Sequence, residues 1–476
     1  MAEPVVVTGE YADEAERATL LAPRTALAAL GGGALAAFLV PGARAGLGLA
    51  LAAVALLVAG ISARAGERQH AWGILCLAVA AALAVTPLYR DATWLVAGDL
   101  AIAFALAAVA LGAGRSWRSV LAAPLSFAGG LIEGPAAVAR SALDVIPKRS
   151  GGGAVPALRG VVLAAGLVTI FGLLFASADR AFAHVLGTLA PDPPTLGDLP
   201  GRLLVAAIAL ALASSLALVA IRRVPEGEAR PAERTLPPIE WRLALGAVVA
   251  LFAGFVAIQF VVLFGGSEHV LQTSGLTYAE YARQGFGQLL VVAVLAITLI
   301  GAAWRWSGIE RERDLRILRI LLGTICVLTM VIVASALHRL DLYVDAFGAT
   351  RLRLGAAVTC AWIGVLLVLT LVGVLGKTRG WMARAVVLLS ALFVLGFTLT
   401  NPEAWIAARN VDRYEQTGGF DARYNGSLSA DATPQLTRLP SALAERVLDR
   451  QRDRLATGDG VRSFNFARER ARDALR

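Results

Sequence analysis

The chain has 476 residues, of which 57% are hydrophobic and only 17% charged, and its mean hydropathy of +0.67 excludes an ordinary water-soluble domain of that length. The net charge of +9 does not imply a nucleic-acid partner, because the arginines fall in short loops between apolar runs and not along one soluble face. Unbroken apolar runs of roughly 17 to 23 residues replace the alternating segments of a membrane barrel. With few aromatics and many small residues, they predict an all-α polytopic transmembrane helix bundle in direct contact with the lipid bilayer.

Residues 1–24 carry Glu3, Glu10, Asp13, Glu14 and Glu16 against Arg17 and Arg24, the wrong sign for a signal peptide, and read as a cytoplasmic N-terminal tail. About eleven spans follow, near 25–40, 45–62, 71–88, 93–112, 159–177, 202–221, 243–265, 286–304, 317–336, 355–376 and 383–400, the first being short and rich in glycine. Residues 25–221 form a first transmembrane part and 243–400 a second, joined by a Pro-, Glu- and Arg-rich cytoplasmic linker at 222–242. No internal repeat relates the two parts. Within the first, 117–147 mixes apolar residues with Arg118, Glu133, Arg140 and Asp144, the pattern of an interfacial amphipathic helix or hairpin.

Positive charge sets the orientation. Arg64 and Arg68, then Arg115, Arg118 and Arg140, Arg222 and Arg223, Arg305 and Arg311, and Lys377 and Arg384 follow the even spans. The odd loops are poorer, apart from Arg339, Arg351 and Arg353. The even loops and the N-terminus are therefore expected in the cytoplasm, and residues 401–476 outside. In that tail Asn401-Pro402-Glu403 has the form of an N-cap, an N1 proline and an acidic first turn, predicting a helix through Trp405 to about Tyr414. Further helices are expected over Asp431 to Leu439 and Ser441 to Leu455. So small a unit buries too little to stand alone, and is expected to pack on the membrane part or on an envelope or membrane protein partner.

The polar residues that could carry chemistry are few. Thr277 and Glu280 have capping-box spacing, which predicts a helix starting at Tyr278, with Arg283 one turn further on. His338, Asp341 and Asp345 would share a helix face beyond the outer end of the ninth span, as a solvated or arginine-paired rim, a proton relay or a metal site. Glu280, Arg283, His338, Asp341 and Asp345 thus form a candidate outer polar site. Asp99 lies inside the fourth span as a candidate intramembrane carboxylate, with interfacial or helix-bonding roles as the alternative. Asp179 and Arg180 read as boundary anchors, and Cys76, Cys326 and Cys360 as buried small hydrophobes. No HExxH, Walker, GxSxG or CxxC pattern is present, so no catalytic residue, cofactor or metal site is assigned.

Four stretches carry a resemblance: Phe175 to Phe182, Leu276 to Phe286, Tyr343 to Arg351, and Asp421 to Ala432. With these the chain, over about residues 70 to 440, resembles the bacterial domain-of-unknown-function 4153/4173 family of multi-pass membrane proteins. The resemblance implies location and architecture and brings no catalytic residue. All four stretches fall on the outer side of the charge-derived topology. The leading expectation is a non-enzymatic protein that senses or organises the cell envelope through its outer surface. A secondary transporter of a small solute or ion using Asp99, and an intramembrane enzyme, are the alternatives.

Overall fold

A computed structural model describes residues 21–64, 70–112, 116–144, 199–222, 235–264, 286–309, 311–376, 380–456 and 458–476. The expected span at 159–177, the boundary pair Asp179 and Arg180, the Thr277 helix start, residues 1–20 and most of the linker lie outside the described residues. The first six helices are α1 (Pro23–Leu39), α2 (Leu47–Ser62), α3 (Ala71–Ala84), α4 (Thr93–Leu111), α5 (Trp117–Asp144) and α6 (Leu199–Arg222). They are followed by α7 (Pro238–Phe264), α8 (Phe286–Trp306), α9 (Glu312–Phe347), α10 (Arg351–Leu375) and α11 (Met382–Leu399). Nine helices among the described residues are long and apolar enough to cross a membrane, and α1 and α2 are shorter apolar helices. The chain is an all-α polytopic bundle.

Two apolar cores hold the bundle, and a third joins Val344 and Ala349 to the tail around Ile406, Val411 and Leu436. Of the first two, one gathers α1 to α6 and takes in Ala391 of α11; the other gathers α7 to α10 around Leu318, Leu322, Ile363 and Leu367. The last span therefore returns to the first core, and the division of the packing does not follow the division of the sequence. Cys76, Cys326 and Cys360 are free and buried within these cores.

Small residues decide how closely α5 and α6 approach. Gly130 and Gly134, one turn apart, lie directly against Ser215 and Ser214, where a Cβ would collide with the serine side chains. Ser215 Oγ donates to the Phe127 carbonyl at 2.5 Å. Although α5 is apolar and long enough to span, both its ends contact the same end of the bundle. Val120 and Ala123 pack on Val109 and Ala383, and Ser141 Oγ accepts from the Leu21 amide at 2.9 Å.

The helix ends sort into two levels. At one level Arg64 Nε donates to the Ala220 carbonyl, Trp72 Nε1 to that of Arg384, and Arg242 pairs with Asp314. The other level carries the α1–α2, α3–α4 and α9–α10 turns, the end of α11 and the tail. The tail folds into α12 (Pro402–Thr417), α13 (Ala422–Asn425), α14 (Thr433–Leu436), α15 (Ser441–Ala456) and α16 (Phe466–Leu475). Asn401 caps α12, accepting from the Ala404 amide at 3.3 Å with Pro402 in the first turn, as its sequence predicts. The helix of the ninth span continues beyond the apolar run to Phe347, because Leu340 and Val344 keep one face buried. The arginine-rich α16, for which sequence reasoning gave no element, packs against the bundle.

Candidate functional site

The α3–α4 turn begins the site. After a short 3-10 turn at Thr86–Leu88, Arg90 is 6% exposed and aims at the open end of α11, donating through Nε to the Thr398 carbonyl and through Nη2 to that of Leu399, each at 2.8 Å. Thr398 O also accepts from the Asn401 amide at 3.3 Å, and the cation adds a donor to both carbonyls at the negative end of the helix. Arg90 Nη1 also lies 3.6 Å from Asp431. The Asp431 carboxylate in turn accepts from the amides of Asp91 (2.7 Å) and Ala92 (3.0 Å), which lead into α4. Burial pushes the Asp431 carboxyl up, against the lowering effect of these amides and Arg90.

Beside it stands Arg468 of α16, whose side chain is 1% exposed. It pairs with Asp91 at 2.6 Å and Asp459 at 2.8 Å, and donates to the carbonyls of Ala45 and Ser463. Asn465 caps α16 and donates to the Pro87 and Arg90 carbonyls at 2.8 and 2.9 Å. Burial opposes ionisation of Asp459, but Arg468 and Arg472 outweigh it and hold the carboxyl below its ordinary value.

A third group forms where α12 meets α10. Glu403, fully buried, accepts from Arg351 Nε at 2.5 Å, Trp94 Nε1 at 2.9 Å and the Ser429 amide at 2.5 Å. Burial would raise its carboxyl, yet these donors hold it below the usual range. Tyr424 OH accepts from the Arg351 amide, and Asn410 Oδ1 accepts from the Ala349 amide next to Gly348, whose φ of +84° a side chain would strain. The stretches 343–351 and 421–432, quoted above for the family resemblance, thus meet in one joint. The stretches 175–182 and 276–286 lie outside the described residues.

The predicted candidates distribute differently. Asp341 and Asp345 are both bound by Arg409 of α12, at 3.5 and 2.7 Å, on an exposed face that also carries exposed His338. Their partner therefore comes from the tail; Glu280 and Arg283, the partners sought at the start of the eighth span, are outside the described residues. Among the described residues, no group of three or more His, Cys, Asp or Glu is placed to hold a metal ion. Asp99 is 1% exposed and both its oxygens accept from the Thr398 hydroxyl at 3.0 Å. Thr398 thereby links Asp99 to Arg90, which holds the same residue by its carbonyl. Asp99 makes no ion pair among the described residues.

Sequence reasoning missed Arg90, Asp91, Glu403, Asp431 and Arg468. The Arg90-Asp91 pair between two apolar runs was the available signal for the first two, and Asp431 lies in a stretch already quoted for resemblance. Between these groups opens a cleft of about 630 Å³, lined in part by Arg44, Asp91, Trp94, Arg351, Arg454 and Arg468.

A family model described as a domain of unknown function, DUF4153, matches residues 77–439. The chain belongs to this family. No curated protein and no solved structure matches this DUF4153 protein. The matched region of the DUF4153 chain ends at Leu439, so it includes Arg90, Glu403 and Asp431 but not Asp459 or Arg468. Residues inside and outside the family region build the joint together.

Proposed function

We propose that this DUF4153 protein is a non-enzymatic component of a bacterial cytoplasmic membrane. Its N-terminus faces inward and its tail outward, and it senses or organises the cell envelope through the tail-bearing surface. The observation that supports this reading is the charged joint. Residues 401–476 are clasped to two turns of the bundle, α3–α4 and α9–α10, by buried pairs and to a third, α1–α2, by the Arg468 hydrogen bond to the Ala45 carbonyl, which gives the surface a fixed shape on which an envelope or membrane protein partner could act. Loop charge supports the orientation. The arginines that made the ninth loop look too basic for an outer loop are engaged within the protein: Arg351 with Glu403, Arg339 with Gln259, and Arg353 with the end of α9 and the Tyr343 ring.

Deletion of the gene should make cells sensitive to detergent and osmotic shift; the wild-type chain should restore resistance, and Arg468→Met should not. Reporter fusions after Arg230 and Leu455 test the orientation, with a cytoplasmic signal at Leu455 reversing it. A second reading, secondary transport, is favoured by one observation, the buried Asp99, which accepts from the Thr398 hydroxyl and makes no ion pair among the described residues. Proton flux in proteoliposomes that is lost in Asp99→Asn, together with an unaffected envelope in the deletion strain, would replace the first reading by the second.

A further inference from the structure

We propose that the arginine-lined cleft between tail and bundle binds a phosphate-bearing anion, with an acidic phospholipid headgroup as the source its surroundings favour. This rests on the reading above only in treating the tail-bearing face as a working surface, and it names the ligand class of that face.

The lining carries Arg44, Arg351, Arg454 and Arg468 against one carboxylate, Asp91. Two of the four arginines are already committed: Arg468 is held by Asp91 and Asp459, and Arg351 by Glu403. Their guanidinium planes are therefore fixed before any ligand arrives, which removes ordering cost from binding. Arg44 is held more loosely, 4.0 Å from Asp459, and Arg454 supplies the surplus charge. Arg44 Nη1 donates to the Arg454 backbone carbonyl at 2.9 Å, so the structure brings two half-exposed or exposed arginines to one mouth. The Arg454 side chain makes no hydrogen bond or ion pair with the described residues. The unspent guanidinium fork of Arg454 at an open cleft, with the partly exposed Arg44 lining the same cleft, matches the planar, bidentate recognition of a phosphate. The first turn of α4, Thr93 and Trp94, lines the same cleft and adds the positive end of its helix dipole.

The surroundings indicate where the phosphate comes from. Beside the mouth, Phe38 at the end of α1 is 62% exposed, and Val461 and Phe466 of the tail are 80% and 45% exposed. Arg462 lies over the Phe38 ring at 5.9 Å and donates to its carbonyl. A second hollow of about 430 Å³ continues from Arg44 past Asp459 to Arg462. Exposed apolar side chains at the end of a span, with arginines one step further out, form the arrangement that meets acyl chains and headgroups at a bilayer surface.

The test uses the full chain in nanodiscs of phosphatidylcholine, with or without phosphatidylglycerol, and inorganic phosphate titrated into the first. Thermal unfolding and native mass spectrometry of retained lipid are the readouts. Phosphatidylglycerol should be retained and stabilising, with roughly tenfold weaker retention in Arg454→Glu. Arg452→Glu, the same charge change on α15 away from the cleft, should behave as wild type. Stabilisation by inorganic phosphate in neutral nanodiscs, also lost in Arg454→Glu, would keep the anion site and assign it to a soluble phosphate compound. Equal behaviour in both lipids with no phosphate effect, or equal loss in Arg454→Glu and Arg452→Glu, overturns the site. A deletion strain with an intact envelope would remove the proposed role and leave these binding results standing.

Discussion

The core around α1 to α6 and the joint between bundle and tail are both buried, but they are held by different physics. In the core, alanines, leucines and glycine contacts such as Gly130 on Ser215 fill space without charge. Trimming one side chain there costs contact area, and the neighbours relax in part. In the joint, Arg90, Arg468, Glu403 and Asp431 are each almost fully buried. Removing any one leaves its partner charged and unpaired, so the loss is steeper per atom than in the core. A bundle that must sit in lipid can be tolerant, whereas a tail that must sit on one face can be exacting.

The largest expected effect is at Arg468. Arg468→Met strands Asp91 and leaves Asp459 with Arg472 as its close partner, and should destabilise tail docking by about 3–5 kcal/mol, read as protease release of the tail from an otherwise intact, detergent-solubilised bundle. A tail still protected in that variant would show that apolar packing alone holds the joint.

Next comes Glu403. Glu403→Gln should cost about 1.5–3 kcal/mol through the lost charge-assisted bonds, and it carries a pH signature. Glu403 and Asp459 lie below ordinary carboxylate values when folded. The stability they supply is therefore complete above the unfolded carboxylate range, ~4, and is lost as pH falls through their lower folded values. Asp431 is raised and acts in the opposite sense, favouring docking at low pH and opposing it as pH rises through its folded value. Through Glu403 and Asp459 the tail is expected to loosen on acidification below ~4, with a shallower pH dependence in Glu403→Gln. Protease sensitivity across that range, wild type against variant, checks it; identical slopes would show that Glu403 does not govern the acid response.

Gly46 tests the joint without touching charge. A Cβ there would meet the Ser463 and Phe464 carbonyl oxygens at 2.5 Å, and backbone does not yield as a side chain does. Gly46→Val should cost about 1–3 kcal/mol, measured as a lower unfolding temperature of the tail with the bundle unchanged. Smallest of all is Arg409→Ala. Its pairs with Asp341 and Asp345 are exposed, so the change should stay below ~1 kcal/mol. A larger loss in chemical denaturation would mean that this rim belongs to the joint.

The spans were legible because lipid requires long apolar runs, and α1 to α4 and α6 to α11 fall close to the expected ranges. The continuation of α9 past residue 336 was legible as the shared face of His338, Asp341 and Asp345; its buried side was not, because hydropathy drops there while Leu340 and Val344 continue the buried face by spacing alone. Asp99 was legible as a carboxylate among apolar neighbours. Asp431 and Arg468 were not: in a tail rich in charge, a buried arginine such as Arg468 and a solvent-facing one such as Arg452 have the same composition around them. Only pairing across the fold separates them, and Arg90 meets Asp431 from more than three hundred positions away in the chain.

That separation bears on how the protein is made. Arg468 lies 377 positions after Asp91 and 423 after Ala45, whose carbonyl it reaches, and it is synthesised after every span described here. During insertion, the turns at Ala45 and Asp91 must wait without their partner while helix after helix enters the bilayer. A nascent chain stalled or cleaved before α16 would leave Asp91 and Asp459 without their buried cation and the tail loose, an open form that proteases can reach. The clasp therefore acts as a check on assembly, closing only when the spans that carry its sockets are already in place.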